Sequence, residues 1–147
     1  MSKTIVINSG YFNPIHPGHV ECMKLSRDLG DELWVIVNND IQAEAKRGVK
    51  SFQDQNFRIA IVEALSHVDR VFLCIDLDSS VCQSLLTLAQ IARDLHGENV
   101  KIIFAKGGDR GVSEVPESKI CLNNSIIMVD GLGAKTHNSS DFIKKTI

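Results

Sequence analysis

Five short runs dense in Ile and Val, at residues 4–8, 32–38, 70–75, 100–105 and 125–129, alternate along this chain with longer amphipathic stretches. Strands buried on both faces read as continuous apolar runs, so the alternation predicts βαβ units around a parallel sheet. With 147 residues, 44% of them hydrophobic, the chain can bury the core of one compact domain. A first helix is expected over 17–29, stopped by Leu29-Gly30-Asp31. A second, over 53–66, carries Phe57, Ile61, Ala64, Leu65 and Val68 along one stripe. A third, over 80–95, repeats Val81, Leu85, Leu88, Ala92 and Leu95 at helical period; Ser79 or Ser80 can cap it and His96-Gly97 end it. Pro116 opens a short helix to 122, and a last helix begins near Ser139. There is no internal repeat, low-complexity tract or linker.

The turn after the first strand is Gly10-Tyr11-Phe12-Asn13-Pro14-Ile15-His16-Pro17-Gly18-His19, and it leads directly into the first helix. A strand feeding a glycine-bearing turn that opens a helix presents backbone N–H groups to phosphate. Two histidines three residues apart at that helix start add donors that reach the same group. The chemistry this favours is binding and transfer of a phosphate-bearing nucleotide. A second glycine-rich segment, Gly107-Gly108-Asp109-Arg110-Gly111, leaves the fourth strand at the same carboxyl edge. Two loops converging on that edge argue for one site. A nicotinamide dinucleotide oxidoreductase is excluded, because Gly-x-Gly-x-x-Gly is absent after the first strand.

The turn has the form Gly-x-Phe-(Asp/Asn)-x-x-His-x-Gly-His. It resembles the signature of the nucleotidyltransferase superfamily that contains the cytidylyltransferases and the small-molecule adenylyltransferases. The resemblance runs from the first strand to the last helix and implies a single Rossmann-like domain with a five-stranded, mostly parallel sheet flanked by helices. It implies an enzyme in which an acceptor phosphate attacks the α-phosphate of CTP or ATP in line and displaces pyrophosphate. An acceptor phosphate is already an anion, so the protein must gather repelling anions and stabilise charge, with Mg²⁺ bridging phosphates. His16, His19 and Lys46 are then the catalytic residues. Gly10, Tyr11, Phe12, Asn13 and Gly18 bind nucleotide, with Asn13 standing where many relatives have Asp.

By composition alone Lys46, Arg47 and Lys50 form a solvated charged loop, but relatives have a basic residue here that contacts the transferring phosphates. Lys46 matches best and Lys50 second. Arg58, early in the second helix, matches a family arginine near the site; its ordinary role would be a surface ion pair. Lys106-Gly107-Gly108-Asp109 resembles the loop of the branch that adenylates heptose 1-phosphate, where Asp contacts the ribose. Asn138-Ser139-Ser140 resembles an altered form of the family's Ser/Thr-rich helix start, which binds the β- and γ-phosphates. Many relatives place an Arg shortly before it, and here Lys135 is the nearby cation. A homodimer is common among such relatives. Glycerol- and ethanolamine-phosphate cytidylyltransferases are also similar in length.

The net charge of −2 gives no reason to expect binding to nucleic acid or membrane surfaces. No run approaches a membrane span, and residues 1–3 lead straight into a strand, which predicts a cytoplasmic protein. Cys22, Cys74, Cys82 and Cys121 form no Cys-x-x-Cys pair and read as small buried hydrophobes in a reducing compartment. Their scatter speaks against zinc and against a covalent intermediate. One alternative function stays open: a nucleotide-binding regulatory or scaffold protein that keeps the fold without transfer.

Overall fold

The computed structural model describes residues 2–107 and 116–133. In chain order its elements are β1 (Thr4–Gly10), α1 (Pro17–Arg27), β2 (Glu32–Val37), α2 (Asp40–Arg47), α3 (Gln55–Glu63), β3 (Arg70–Leu73), α4 (Cys82–His96), β4 (Lys101–Gly107), α5 (Glu117–Asn123) and β5 (Ile127–Leu132). The strands form one parallel five-stranded sheet in the order β3-β2-β1-β4-β5. This is the single Rossmann-like α/β domain that the sequence pattern and the resemblance predict.

Alternation of side chains along the central strands sorts the core into two layers. Ile5, Ile7, Trp34, Ile36, Ile102 and Phe104 pack with Leu85, Leu88, Ala89 and Ala92 of α4 and Cys121 of α5. Val6, Leu33, Val35, Val37, Ile103 and Ala105 pack on the other face with Met23 of α1 and Val62 of α3. From β1 the chain winds outward through β2 and β3, then crosses back to β4 and β5. The strand order therefore reverses between β1 and β4, and a crevice opens at their carboxyl ends. Where the two strands part, Asn8 reaches across: its Nδ2 donates to the Ala105 carbonyl (3.0 Å) and to Ser26 Oγ of α1 (2.9 Å).

The structure departs from the expected elements at several points, among them β3, which ends at Leu73 rather than at 75. The charged segment after β2 is a helix, α2, not a loop; Asn39 and Gln42 form a capping box at its start, and Gly48, at φ 73°, closes its end. The second helix, over 55–63, keeps only part of the expected stripe: Leu65 and Val68 just beyond it pack against the core, but Phe57 and Ala64 are exposed, and Arg58 and Val62 are buried with Ile59 beside the core. Neither Ser79 nor Ser80 is the N-cap of α4, which is Val81. Cys74 and Cys121 are buried but Cys22 and Cys82 are only partly so, and all four are free thiols. The expected helix near Ser139 lies outside the described residues. Among the described residues no helix is long and apolar enough to cross a membrane.

The departure in α3 has a definite cause. Arg58 is fully buried, and its guanidinium donates to the carbonyls of Gln53 (2.9 Å), Tyr11 (2.7 Å) and Asn38 (2.7 Å) and to Asp40 Oδ1 (2.9 Å). Those four bonds outweigh the burial of one phenyl ring, so Phe57 is left at the surface. Arg58→Met strands three carbonyls and a carboxylate that is about one-third exposed. It is expected to lower stability by about 2–4 kcal/mol. Arg58→Lys should recover only part of this, because an ammonium cannot reproduce the planar fork. Urea unfolding at constant m-value measures both; a loss below about 1 kcal/mol for the Met variant would contradict this role.

Candidate active site

The turn between β1 and α1 is built around two aromatic contacts. A Cβ on Gly10 would lie 2.8 Å from the tip of the Phe12 ring, so only glycine lets Phe12 fold back over the strand end. Phe12 is buried at a positive φ of 51°, and its ring meets His19 edge-on at 5.0 Å. Asn13 is fully buried. Its Nδ2 donates to Ser51 Oγ (2.9 Å), and its Oδ1 accepts from the Gln53 N–H (3.0 Å), so it ties the turn to the segment before α3.

At the start of α1 the two histidines cap each other's backbone. His16 is the N-cap, and its Nδ1 accepts the Gly18 N–H at 3.1 Å. His19, three residues on, accepts the His16 N–H through its own Nδ1 at 3.1 Å. The rings stack with centroids 3.7 Å apart and 22° between planes. A Cβ on Gly18 would sit 2.9 Å from His16 Cε1, so the close approach that demands glycine there is made by the imidazole itself. With Nδ1 occupied as an acceptor, each neutral ring carries its proton on Nε2. Burial, aided by the neighbouring His16 and Lys46, pushes the His19 pKa from 6.5 down to about 3. A neutral imidazole held this way is a hydrogen-bond donor to an anion rather than a base.

Lys46 lies on α2, its Nζ 4.3 Å from the centre of the Tyr11 ring. Arg47 Nη2 reaches the Asn13 carbonyl at 3.4 Å. Lys106, near the end of β4, stands 5.6 Å from the Phe104 ring centre. Gly10, Tyr11, Lys46 and Lys106 line a cleft of about 590 Å³ at the reversal between β1 and β4. Gly107 closes β4 next to Cys22. Lys50 is exposed and does not line the cleft. Arg58, expected near the site, is the buried anchor described above, its guanidinium bonded to protein carbonyls and Asp40. Gly108, Asp109, Lys135, Asn138, Ser139 and Ser140 lie outside the described residues. Among the described residues, no group of three or more His, Cys, Asp or Glu side chains could hold a metal ion.

The other side of the cleft is one that sequence reasoning missed. It is lined by Leu77, Asp78 and Ser79 between β3 and α4, and by Glu117. Asp76 Oδ2 accepts from the Gln83 N–H (2.8 Å) and Oδ1 from the Ser84 N–H (2.9 Å). Glu117, itself buried, accepts from the Val81 N–H at 2.9 Å, and Ser80 Oγ from the Cys82 N–H at 3.3 Å. The N–H groups that open α4 are thus closed by the protein's own carboxylates and hydroxyl, and offer nothing to a phosphate. Hydrogen bonds from the Ser80 hydroxyl and backbone hold Asp78 below its usual carboxylate range. The cleft is therefore polarised, with lysines on one side and acceptor oxygens on the other. Asn39 and Gln42 were visible as an Asn-x-x-Gln capping pattern, whereas Asp76 sits too far before its helix to match any cap spacing.

Residues 7–130 match the family model described as cytidylyltransferase-like. The chain is 34% identical over 129 residues to the bifunctional protein HldE of Histophilus somni, a match covering 86% of this chain and 24% of that protein. Over 73 residues it is 41% identical to the FAD synthase of Methanoregula boonei, covering 50% of this chain and 48% of that one. The chain thus spans about a quarter of the HldE relative. Among solved structures, the lipopolysaccharide core biosynthesis protein of Thermoplasma volcanium superposes with a TM-score of 0.63 at 25% identity, covering 88% of this chain and 96% of that one. A bifunctional NMN adenylyltransferase/ADP ribose pyrophosphatase from Francisella tularensis has the same fold, with a TM-score of 0.69 at 12% identity, covering 97% and 41%.

The depressed His19 pKa fixes the sign of a pH effect. Between pH 6.5 and about 3 the unfolded chain binds a proton at His19 that the folded chain refuses. The stability this group contributes is complete above pH 6.5 and is lost as pH falls towards 3. His19→Gln keeps an acceptor for the His16 N–H, as Gln does in an ordinary capping box, but does not titrate. The wild-type melting temperature should therefore fall more steeply than the variant's between pH 7 and pH 4. Parallel curves would rule out a buried neutral His19.

Proposed function

The chain belongs to the cytidylyltransferase-like family, and from that premise we propose that it transfers a nucleoside monophosphate from ATP or CTP to a phosphorylated small molecule, releasing pyrophosphate. The observation that carries this reading is the pair of stacked, backbone-capping imidazoles at the start of α1, on the carboxyl edge of the sheet where Lys46 and Lys106 line a cleft that the imidazoles themselves do not line. An oxygen of the acceptor phosphate forms a new bond to the α-phosphorus while the bond from that phosphorus to the β-phosphate bridge oxygen breaks. The electron pair leaves with pyrophosphate, and no proton has to be removed from the nucleophile. His16 and His19 donate Nε2–H bonds to the triphosphate, and Lys46 neutralises charge where the two anions meet. Mg²⁺ supplied on the nucleoside triphosphate offsets the remaining phosphate charge.

In the same reading the turn residues Gly10, Tyr11, Phe12, Asn13 and Gly18 shape the phosphate end of the nucleotide site. Lys106 and Gly107, with Gly108 and Asp109 next in sequence, hold the nucleoside; Asn138, Ser139 and Ser140 take the β- and γ-phosphates, and Lys135 is a further phosphate contact. The acceptor is a sugar phosphate or polyol phosphate. The oxygens of Asp78, Ser79 and Glu117 suit hydroxyl groups, whereas Lys46 and Lys106 suit the phosphate, and a cleft of about 590 Å³ is large enough for such a molecule. The likeness of Lys106-Gly107-Gly108-Asp109 to the loop of the heptose 1-phosphate branch favours a heptose phosphate among these acceptors. A homodimer and a cytoplasmic location belong to the same proposal.

Pyrophosphate release with Mg²⁺, each of ATP, CTP, GTP and UTP, and a panel of heptose 1-phosphate, glycerol 3-phosphate and phosphoethanolamine tests it. Release is expected with one nucleotide and only in the presence of one acceptor. His16→Asn retains an N-cap acceptor for the Gly18 N–H. It should lower kcat by about 10²–10³ while nucleotide affinity changes by less than about tenfold. Equal losses in both, or none in either, would remove His16 from catalysis. Nucleotide binding with silence across the panel would favour the binding-only alternative.

A further inference from the structure

Gln42 and Lys46 are one turn apart on α2 and share a helix face, and both line the cleft. Gln42 is 2% exposed, and every hydrogen-bonding position of its amide is used. Oε1 accepts from Asn38 Nδ2 (2.9 Å) and from the Asn39 N–H (3.1 Å); Nε2 donates to the carbonyls of Asp78 (2.7 Å) and Ser80 (2.9 Å). Two donors and two acceptor positions exhaust what a side-chain amide offers, so the group cannot flip without four mismatches. Its neighbour continues the pattern: Asn39 Nδ2 donates to the carbonyls of Cys74 (3.0 Å) and Asp76 (2.8 Å). Two amides three residues apart thus hold the carbonyls of residues 74, 76, 78 and 80. The chain bends at 77–79, and the two amides hold its carbonyls on both sides of that bend.

The stretch from 77 to 79 is itself a wall of the cleft. We propose that Gln42 is a positioning residue that fixes the wall at 78–80 to the helix carrying Lys46, and so sets which phosphorylated acceptor the cleft takes. Gln42 acts through the carbonyls it holds and through the helix it shares. The distance between the cation for the acceptor's phosphate and the oxygens for its hydroxyls depends on this amide. The proposal rests on the transfer reading above for its substrate and on the hydrogen-bond geometry alone for its mechanism.

Two variants separate the parts. Gln42→Glu keeps the acceptor for Asn38 and Asn39, hence the capping box, but replaces Nε2 and its two donors by one oxygen facing carbonyls 78 and 80. Gln42→Met removes all four bonds at similar volume. With heptose 1-phosphate and glycerol 3-phosphate as acceptors, both variants should raise the acceptor KM at least about tenfold, with nucleotide KM and kcat within about threefold of wild type. A second readout needs no turnover. Cys74 is buried with Sγ 3.9 Å from the Ser80 carbonyl, whereas Cys121, on α5, is buried in the core. Alkylation by N-ethylmaleimide, read by peptide mass, should accelerate at Cys74 at least about tenfold relative to Cys121 in both variants. Unchanged Cys74 protection would overturn the proposal, as would equal gains at Cys74 and Cys121 or a joint rise of both KM values with a fall in kcat. If wild-type protein turns over neither acceptor, the transfer reading fails for these substrates and the Cys74 ratio alone decides the role of Gln42.

Discussion

The geometry of this site depends on one buried guanidinium. Arg58 gathers the carbonyl of Tyr11 from the turn after β1, that of Asn38 from the end of β2, that of Gln53 ahead of α3, and the carboxylate of Asp40 at the start of α2. These are the segments that carry the histidines, Lys46 and the support for Asn13. A carbonyl cannot be left buried without a donor, and a guanidinium is the one side chain with five N–H groups in a rigid fork. Its charge is tolerated in the interior because Asp40 lies 2.9 Å away and the three carbonyl dipoles point at it. The arrangement makes the loops at the carboxyl edge a single body, although they are far apart in sequence.

On that body, two helix starts belonging to the same sheet edge have opposite electrical character. The opening of α1 is capped by imidazoles, which satisfy backbone N–H groups without adding negative charge and leave protons on Nε2. The helix dipole and the retained donors then both favour an anion. The opening of α4 is capped by Asp76 and Glu117, whose charges cancel the dipole and use its N–H groups. A phosphate approaching the cleft is therefore drawn towards α1, Lys46 and Lys106 and finds no donors at α4. Orientation of a ligand that is anionic at one end and hydroxylated at the other follows from the caps alone.

The strands were legible because burial on both faces leaves a continuous apolar run that few other structures produce. The turn at Gly10–His19 was legible because its glycines and histidines are constrained by one another: Gly10 by the Phe12 ring, Gly18 by the His16 ring. What failed were readings that equated polarity with solvent. Apolar spacing over 53–66 puts Phe57 in the core stripe and gives no sign that Arg58 is buried, because arginine is rarely buried. The helix that carries Lys46 reads as a loop because its burial is polar: Gln42 and Ala43 face inward, and no apolar stripe marks it. Its capping residues were in the sequence, and only an explicit search for Asn-x-x-Gln followed by a glycine stop would have found it. The carboxylates of Asp76 and Glu117 act across contacts of seven and 36 residues to their nearest partners, which no local pattern encodes.

The end of β3 shows how that polar burial makes room for a site. An apolar pattern continuing to Ile75 predicted strand as far as that residue, yet pairing stops at Leu73 after the Cys74 N–H reaches the Val37 carbonyl at 2.8 Å. Continued pairing would need more backbone from β2, but β2 ends at Val37 and the chain turns into α2. The carbonyls that a further strand would have satisfied are taken instead by the amides of Asn39 and Gln42. Side-chain amides reach farther than a backbone ladder, whose strands must stay about 4.8 Å apart, so the segment can swing away from the sheet without leaving buried carbonyls unpaired. The space released is the cleft. Ile75 and Leu77, which would have packed in a longer strand, are left largely exposed as a consequence. The same substitution of side-chain for main-chain hydrogen bonds explains both why the strand prediction overran and why a cavity exists beside the last paired residue.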